Sequence, residues 1–373
     1  MGYSVKKEND MLNKQKLSTL AQSKSFQLFL IATAILILIP IFIRNSFFLF
    51  VFTLIFIFGI YAASWNFLAN SGQGSLGHAV FLGIGGFASA IIGTKISVAI
   101  ISASGVYTIP IGFLSVLIQV LVILVGGLLS AGIGLLIGLA CVRLKAWYLA
   151  IVTFGFSVIA ETLSSQFDSI TNGINGFPPA TFVPSGYPFY LLVVLFALAS
   201  ISVMYLLMKS RMGLAFRAIH GNEVEARMIG INTTKYKLIA FVISTFFAGL
   251  AGGLYVYFYG FVDNSIFSPA NSFTPLIMTV IGGLGTVAGP VVGSIFFISV
   301  GQILSTQSVT QSLNSTLGPF FPKAGYVGPP LTYLFIGVIL LLIVIFFPKG
   351  LTPLFQKFYK YIMTEEKPEK KKA

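Results

Sequence analysis

Few side chains in this sequence could do chemistry, so those that could stand out. His78, in "NSGQGSLGHAVFLGIGGFASA" (70–90), is the one imidazole inside an apolar segment, and Glu161 is the one carboxylate inside such a segment. Ionisable groups in those surroundings often serve ion or proton movement. A proton relay needs a partner, and the sequence puts no acid beside His78. A neutral imidazole hydrogen-bonding across to another helix therefore competes with the relay. Glu161 lies towards the end of its segment and reads either as an interfacial carboxylate or as a functional one. Cys141 is the single cysteine, which excludes an intrachain disulfide and a Cys-based metal cluster and leaves a small packing residue. No catalytic constellation and no metal-ligand spacing is present.

The densest charge lies in "RAIHGNEVEARMIGINTTKYK" (217–237), between two apolar segments. Asn222 is a strong N-cap, and Glu225 three residues later gives the spacing of a capping box. Glu223 and Glu225 fall in the first turn, where carboxylates favour the positive end of the helix dipole. Gly230 fits the left-handed position just after a helix. The residues between predict a helix of about two turns, too short to persist alone in water. Val224, Met228 and Ile229 offer the contacts it needs. Ala226 and Arg227 complete it. Such an element reads as a docking helix or as an ordinary connection.

The elements that must position these residues are dictated by composition. Only 9% of the 373 residues are charged and 56% are hydrophobic, with a mean hydropathy of +0.93. An average soluble domain carries roughly 25% charged residues. Runs such as "FQLFLIATAILILIPIFI" (26–43) are continuously apolar and long enough to cross about 30 Å of hydrocarbon as helices. A β-barrel would alternate instead. The first run reads as a membrane helix rather than a cleaved signal, since a small-x-small site is lacking and another apolar run follows. The expectation is an all-α polytopic membrane protein of about ten transmembrane helices. They are placed near 26–43, 47–68, 73–94, 111–141, 148–165, 189–208, 236–260, 274–286, 289–304 and 330–347. The segments 274–286 and 289–304 could instead be a re-entrant pair.

With this count Lys6, Lys7, Lys14, Lys16 and Lys24, then Arg143 and Lys145, then the 209–237 loop, then Lys349 and the closing "KPEKKK" all fall on one side. The positive-inside rule makes that side, and both termini, cytoplasmic. The domain reading is a basic tail (1–25), a transmembrane domain (26–350) and a second basic tail (351–373). The net charge of +13 then records topology and contact with membrane lipids, not nucleic acid.

Small residues recur at helical spacing: Gly126, Ser130, Gly134 and Gly138; Ala240, Ser244, Ala248 and Gly252; Gly285, Gly289 and Gly293. This spacing lets helix backbones approach closely. Two segments are interrupted by Gly and Pro and carry polar residues, 70–90 and "SPANSFTPLIMTVIGGLGTVAGPVVG" (268–293). Broken segments of this kind point to a substrate pathway. The candidates on it are Gly74, Ser75, Gly77, His78, Gly83 and Gly85 in the first, with Gly282, Gly283, Gly285, Gly289 and Pro290 in the second.

Several stretches in order, "SLGHAVFLGIGGFASA", "RLKAWYLAIVTFGF", "TNGINGF", "RAIHGNEVEARMIGI", "KLIAFVISTFFAGLAGGLY", "IGGLGTVAGPVVG" and "FFPKGL", cover most of 60–350. Together they resemble the LivM-type permease subunits of the branched-chain amino acid ABC transporter family. The resemblance implies that the 222–230 helix, through Asn222, Glu223, Glu225, Ala226, Arg227 and Gly230, is a loose form of the coupling motif that fits a groove on an ATPase subunit. Arg227 stands where a small residue is usual, one fewer residue precedes the Gly, and Ala146 replaces a frequent Gly. It also implies two ABC ATPase subunits, a second, LivH-type permease and an extracytoplasmic substrate-binding protein, for which "TNGINGFPPA" and "STQSVTQSLNST" are candidate contacts. The chain has no P-loop, so ATP and Mg belong to the partner subunits, and this chain itself is expected to be neither an enzyme nor a cofactor protein. Competing readings are a sugar-type ABC permease or an ion-coupled secondary transporter, which would need more ion ligands within its spans.

Overall fold

The computed structural model describes residues 45–104, 112–144, 146–286 and 288–307, with short stretches between 309 and 353. The expected span 26–43, the 1–25 tail, the 351–373 tail beyond 353, and parts of 330–347 and of the 305–316 loop lie outside the described residues. Two compact units divide the chain, 1–50 and 51–373; the first is described only over 45–50, and nearly all of the described structure belongs to the second.

Six of the described helices are long and apolar enough to cross a membrane. They are α1 (Ser46–Ala69), α2 (Ala79–Ser104), α3 (Phe113–Cys141), α4 (Ala146–Gln166), α5 (Tyr187–Lys209) and α8 (Thr233–Tyr259). Between α5 and α8 lie two short helices, α6 (Arg211–Gly221) and α7 (Glu223–Met228). After α8 come α9 (Pro269–Gly282) and α10 (Ala288–Leu304), of 14 and 17 residues. At 1.5 Å per residue they reach only about 21 and 25 Å.

The small-residue repeats pack α2, α3 and α8 together. On α2, a Cβ added to Gly85 would lie 2.2 Å from Gly249 O of α8, and one added to Gly252 of α8 would lie 1.8 Å from Leu82 O. Only hydrogen fits at such contacts. Ser130 of α3 places its hydroxyl 2.9 Å from Phe81 O of α2 and 2.9 Å from Thr245 O of α8, tying all three helices at one point. From Val51 onward α1 is buried nearly all round, as expected of a helix apolar on every face. By contrast α3 leaves Leu114, Leu121, Leu128 and Leu136 exposed, as a lipid-facing stripe would.

The expectation needs three corrections. Residues 73–78 are not helical, so the span drawn from 73 starts at Ala79. The span drawn over 274–286 is helical over Pro269–Gly282, because Gly283 and Gly285 take positive φ (120° and 79°) and end it. Gly285 therefore sits in a turn and takes no part in the small-residue repeat that Gly289 and Gly293 continue.

Replacing Gly252 by Leu should force α2 away from α8. Overpacking of this kind costs about 1–3 kcal/mol or more, so the variant should unfold at lower temperature in detergent, whereas Gly132→Leu, with open space around it, should not.

Candidate functional site

The two interrupted segments meet around the end of α1. Between α1 and α2 the chain runs through 70–78, where Ser71, Ser75 and His78 are wholly buried. Irregular backbone in an apolar interior survives only if its polar groups find partners. Side chains from other helices supply them. Trp65 Nε1 donates to Ser75 O (2.7 Å), Leu76 N–H donates to Thr153 Oγ1 of α4 (3.1 Å), and Ala79 N–H donates to Ser272 Oγ of α9 (3.1 Å). Ser272 Oγ lies 3.1 Å from Ser157 Oγ of α4, which itself donates to Phe267 O (2.6 Å). Gly77 lies so close to α4 that a Cβ there would sit 1.7 Å from Thr153 O.

The second break, over 283–286, is held from the same side. Asn66 uses both ends of its amide: Gly285 N–H donates to Oδ1 (3.1 Å) and Nδ2 donates to Thr286 O (2.8 Å). Leu351, the last residue of the "FPKGL" stretch, and Thr352 after it close the other side. Leu351 N–H donates to Ile281 O (2.9 Å), and the Thr352 hydroxyl donates to Gly282 O. Within α9, Pro275 has no N–H to give to the carbonyl of Asn271, four residues back. The buried Tyr61 hydroxyl donates to that carbonyl instead (3.1 Å).

His78 sits in this junction. Its ring stacks on Tyr61 with centroids 5.5 Å apart, and Nε2 lies 3.0 Å from Ser64 Oγ of α1. The Ser64 hydroxyl already donates to Tyr61 O (2.7 Å), so it accepts from a protonated Nε2. Ser75 and Gly77 share this junction with His78, while Gly74 has open space around it. Gly83 abuts the Phe267 ring and Gly85 abuts Gly249; Gly282 and Gly289 touch each other, and Pro290 is buried at the start of α10. Gly283 and Gly285 form the second break. Glu161 stands apart, half-buried on α4. Among the described residues no group of three His, Cys, Asp or Glu is placed to hold a metal ion. Sequence reasoning missed Asn66, Ser272, Tyr61 and Thr352, whose partners lie far away in the chain.

The charged run folds as its caps dictate. Asn222 Oδ1 accepts from Val224 N–H and Glu225 N–H, while its Nδ2 donates to Glu225 Oε1 (2.6 Å). The reciprocal half of the box thus goes through the Asn222 side chain, because the Asn222 N–H is already given to Ala218 O of α6. At the other end Gly230, at φ 87°, donates to Arg227 O and Ile231 donates to Ala226 O, closing the helix with a Schellman pair.

What holds α7 differs from the expectation. Val224, Met228 and Ile229 are 59%, 81% and 75% exposed, so they are not its packing contacts. Ala226 alone is buried; the rest of the anchoring is ionic. Glu223 pairs with the nearly buried Lys237 of α8 and with Arg227 (2.5 Å), and Arg227 Nε donates to Thr233 Oγ1 (2.9 Å). Burial alone would raise the Glu223 carboxyl, but the hydrogen bonds from Lys237 and Arg227 outweigh it and hold the group below the usual carboxylate range.

Helix α6 joins the two sites. Gly72 lies in the first break with its Cβ direction 3.4 Å from His220 Cα of α6. The buried Phe216 of α6 meets Phe67 of α1 (5.5 Å) and Tyr236 of α8 (6.3 Å). At the far end of α8, about 40 Å from α7 at 27 residues, Phe177 and Val262 exchange backbone hydrogen bonds. They secure the "TNGINGFPPA" connection there.

Long apolar helices, tight small-residue contacts and two broken segments clamped by buried side chains define a polytopic helical membrane protein. Residues 47–344 match the model of the family described as branched-chain amino acid transport system / permease component, and the chain belongs to that family. It is 32% identical over 202 residues to the high-affinity branched-chain amino acid transport system permease protein LivM of Salmonella typhimurium, covering 46% of this chain and 48% of that one. A probable LivM of Methanocaldococcus jannaschii is 26% identical over 282 residues, 74% of this chain and 78% of the relative. The Salmonella typhimurium permease LivH is 32% identical over 111 residues, 29% of this chain and 35% of its own. The chain thus spans about half the length of the LivM of Salmonella typhimurium. No solved structure matches significantly.

Two outcomes check this geometry. Asn66→Leu should free the 285–286 turn at a cost of about 1–3 kcal/mol, read as faster amide exchange at Gly285 with α3 unaffected. The Glu223 pairing, with its folded pKa below the unfolded value of about 4.3, should stabilise α7 fully above that value. It should be lost as pH falls through the folded pKa. Exchange protection of 223–231, corrected for intrinsic rates, should therefore stay constant between about pH 5 and 8 and drop in more acid solution. In Glu223→Gln the drop should be absent and protection lower throughout.

Proposed function

We propose that this chain is the membrane-spanning permease subunit of an ATP-binding-cassette importer in the plasma membrane of a prokaryote. It moves branched-chain amino acids or related small zwitterions or amides. Two separate ABC ATPase subunits supply the energy and hold the ATP and Mg. A second, LivH-type permease and an extracytoplasmic substrate-binding protein complete the assembly. The observation that carries this reading beyond family membership is α7. It is a doubly capped helix, clamped to α8 by Glu223 and Lys237, that presents Val224, Met228 and Ile229 outward.

In this reading α7 is the coupling helix, and Asn222, Glu223, Glu225, Ala226, Arg227 and Gly230 build it. The loop lies on the cytoplasmic side with both termini, the 1–25 and 351–373 tails flank the 26–350 transmembrane domain, and the chain crosses about ten times. The pathway runs past the paired breaks. Hydroxyl, amide and glycine groups around Ser75, His78 and Gly283–Gly285 suit a small zwitterion with an apolar side chain. ATP-driven closure of the motor shifts α7, and coupling requires the motor to prefer one of the two permease states. The "TNGINGFPPA" connection, at the opposite end of α8, faces the substrate-binding protein.

The test is purification from native membranes in mild detergent. P-loop ATPases and a second permease should accompany the chain, and Val224→Asp with Met228→Asp should release the ATPases while the second permease stays. Transport by the solitary chain in liposomes without ATP would overturn the reading.

A further inference from the structure

The exposed ridge of α7 is not alone on its surface. At 3.6 residues per turn, Val224 and Met228 share one face, while Arg227 and Glu223 lie on its flank. On that flank an open cleft of about 600 Å³ runs between the end of α3 and the α7–α8 turn, lined by Val142, Arg143, Arg227, Gly230 and Thr233 among others. Its lining carries two guanidinium groups, Arg143 and Arg227, and no carboxylate. Arg227 is paired outside the lining with Glu223, which Lys237 also engages. Arg143, exposed just past the end of α3, pairs with no acid among the described residues. A second cleft, of about 530 Å³ beside α6, has Arg217 and Glu225 together and shows no such excess.

We propose that the first cleft receives a carboxylate side chain of the subunit that seats α7, with Arg143 as its anchor. The inference rests on the coupling reading above and adds a second point of attachment on a different transmembrane helix. A guanidinium presents paired N–H groups that match a carboxylate bidentately. The surplus of positive charge supplies the complementarity, and the neighbouring apolar ridge places the same partner against the cleft. Because α3 packs directly on α8, one acid in this cleft would bind α3, α7 and α8 to the partner as a unit.

The experiment uses the co-purified complex, reconstituted in zwitterionic lipid, with ATPase retention followed against salt. Arg143→Ala should weaken retention about tenfold at moderate salt and flatten its salt dependence, and Arg143→Glu should weaken it further. Arg143→Lys should recover part of it. Unchanged amide exchange in α7 would show that the variants fold. If Arg143→Ala retains the ATPases normally while Val224→Asp with Met228→Asp loses them, the inference falls and the coupling reading stands. If neither variant has an effect, both fall. A loss that appears only when anionic lipid is added would assign the cleft to a lipid phosphate and overturn the proposal.

Discussion

The interior of this protein is organised by one requirement: a backbone that leaves the helical ladder in apolar surroundings must find every hydrogen bond elsewhere. Two breaks could not exist without Asn66, Ser272, Thr153, Trp65 and Thr352. Each of these side chains satisfies a backbone group of a different element. Tyr61 extends the rule to a helix interior, filling the carbonyl that Pro275 leaves open. The polar residues of the spans are therefore concentrated where the chain is irregular.

Against these breaks stands a rigid block. Close contact among α2, α3 and α8 leaves no room for even one added methyl at Gly85 or Gly252. Dense packing of this sort moves as a body rather than bending. The trio is held by backbone contact, the junction by single hydrogen bonds from distant side chains.

The long helices were legible because an apolar run of that length has few other fates. The ends of α7 were equally plain, since Asn222, Glu225 and Gly230 act on neighbours a few residues away. Its orientation was not legible. Val224, Met228 and Ile229 look like core residues on hydrophobicity alone, and nothing local distinguishes a buried side chain from an exposed one. The clamps were hidden for a related reason. Asn66 and Thr286 are 220 positions apart, and an asparagine in an apolar run gives no hint of which distant carbonyl it will meet. The helix start at Ala79 was missed likewise, because the partners that allow 73–78 to stay irregular come from α1, α4 and α9.

Gly72 and Gly77 show two different demands that the 70–78 strap makes on its glycines. At Gly77 the demand is room, since a Cβ would sit 1.7 Å from Thr153 O. At Gly72 it is backbone shape: a Cβ would make only ordinary contact with His220, 3.4 Å from its Cα, but the left-handed φ of 76° disfavours any residue that carries one. An alanine at 77 would therefore push the strap off α4, whereas an alanine at 72 would leave its neighbours in place and act through the chain's own torsion.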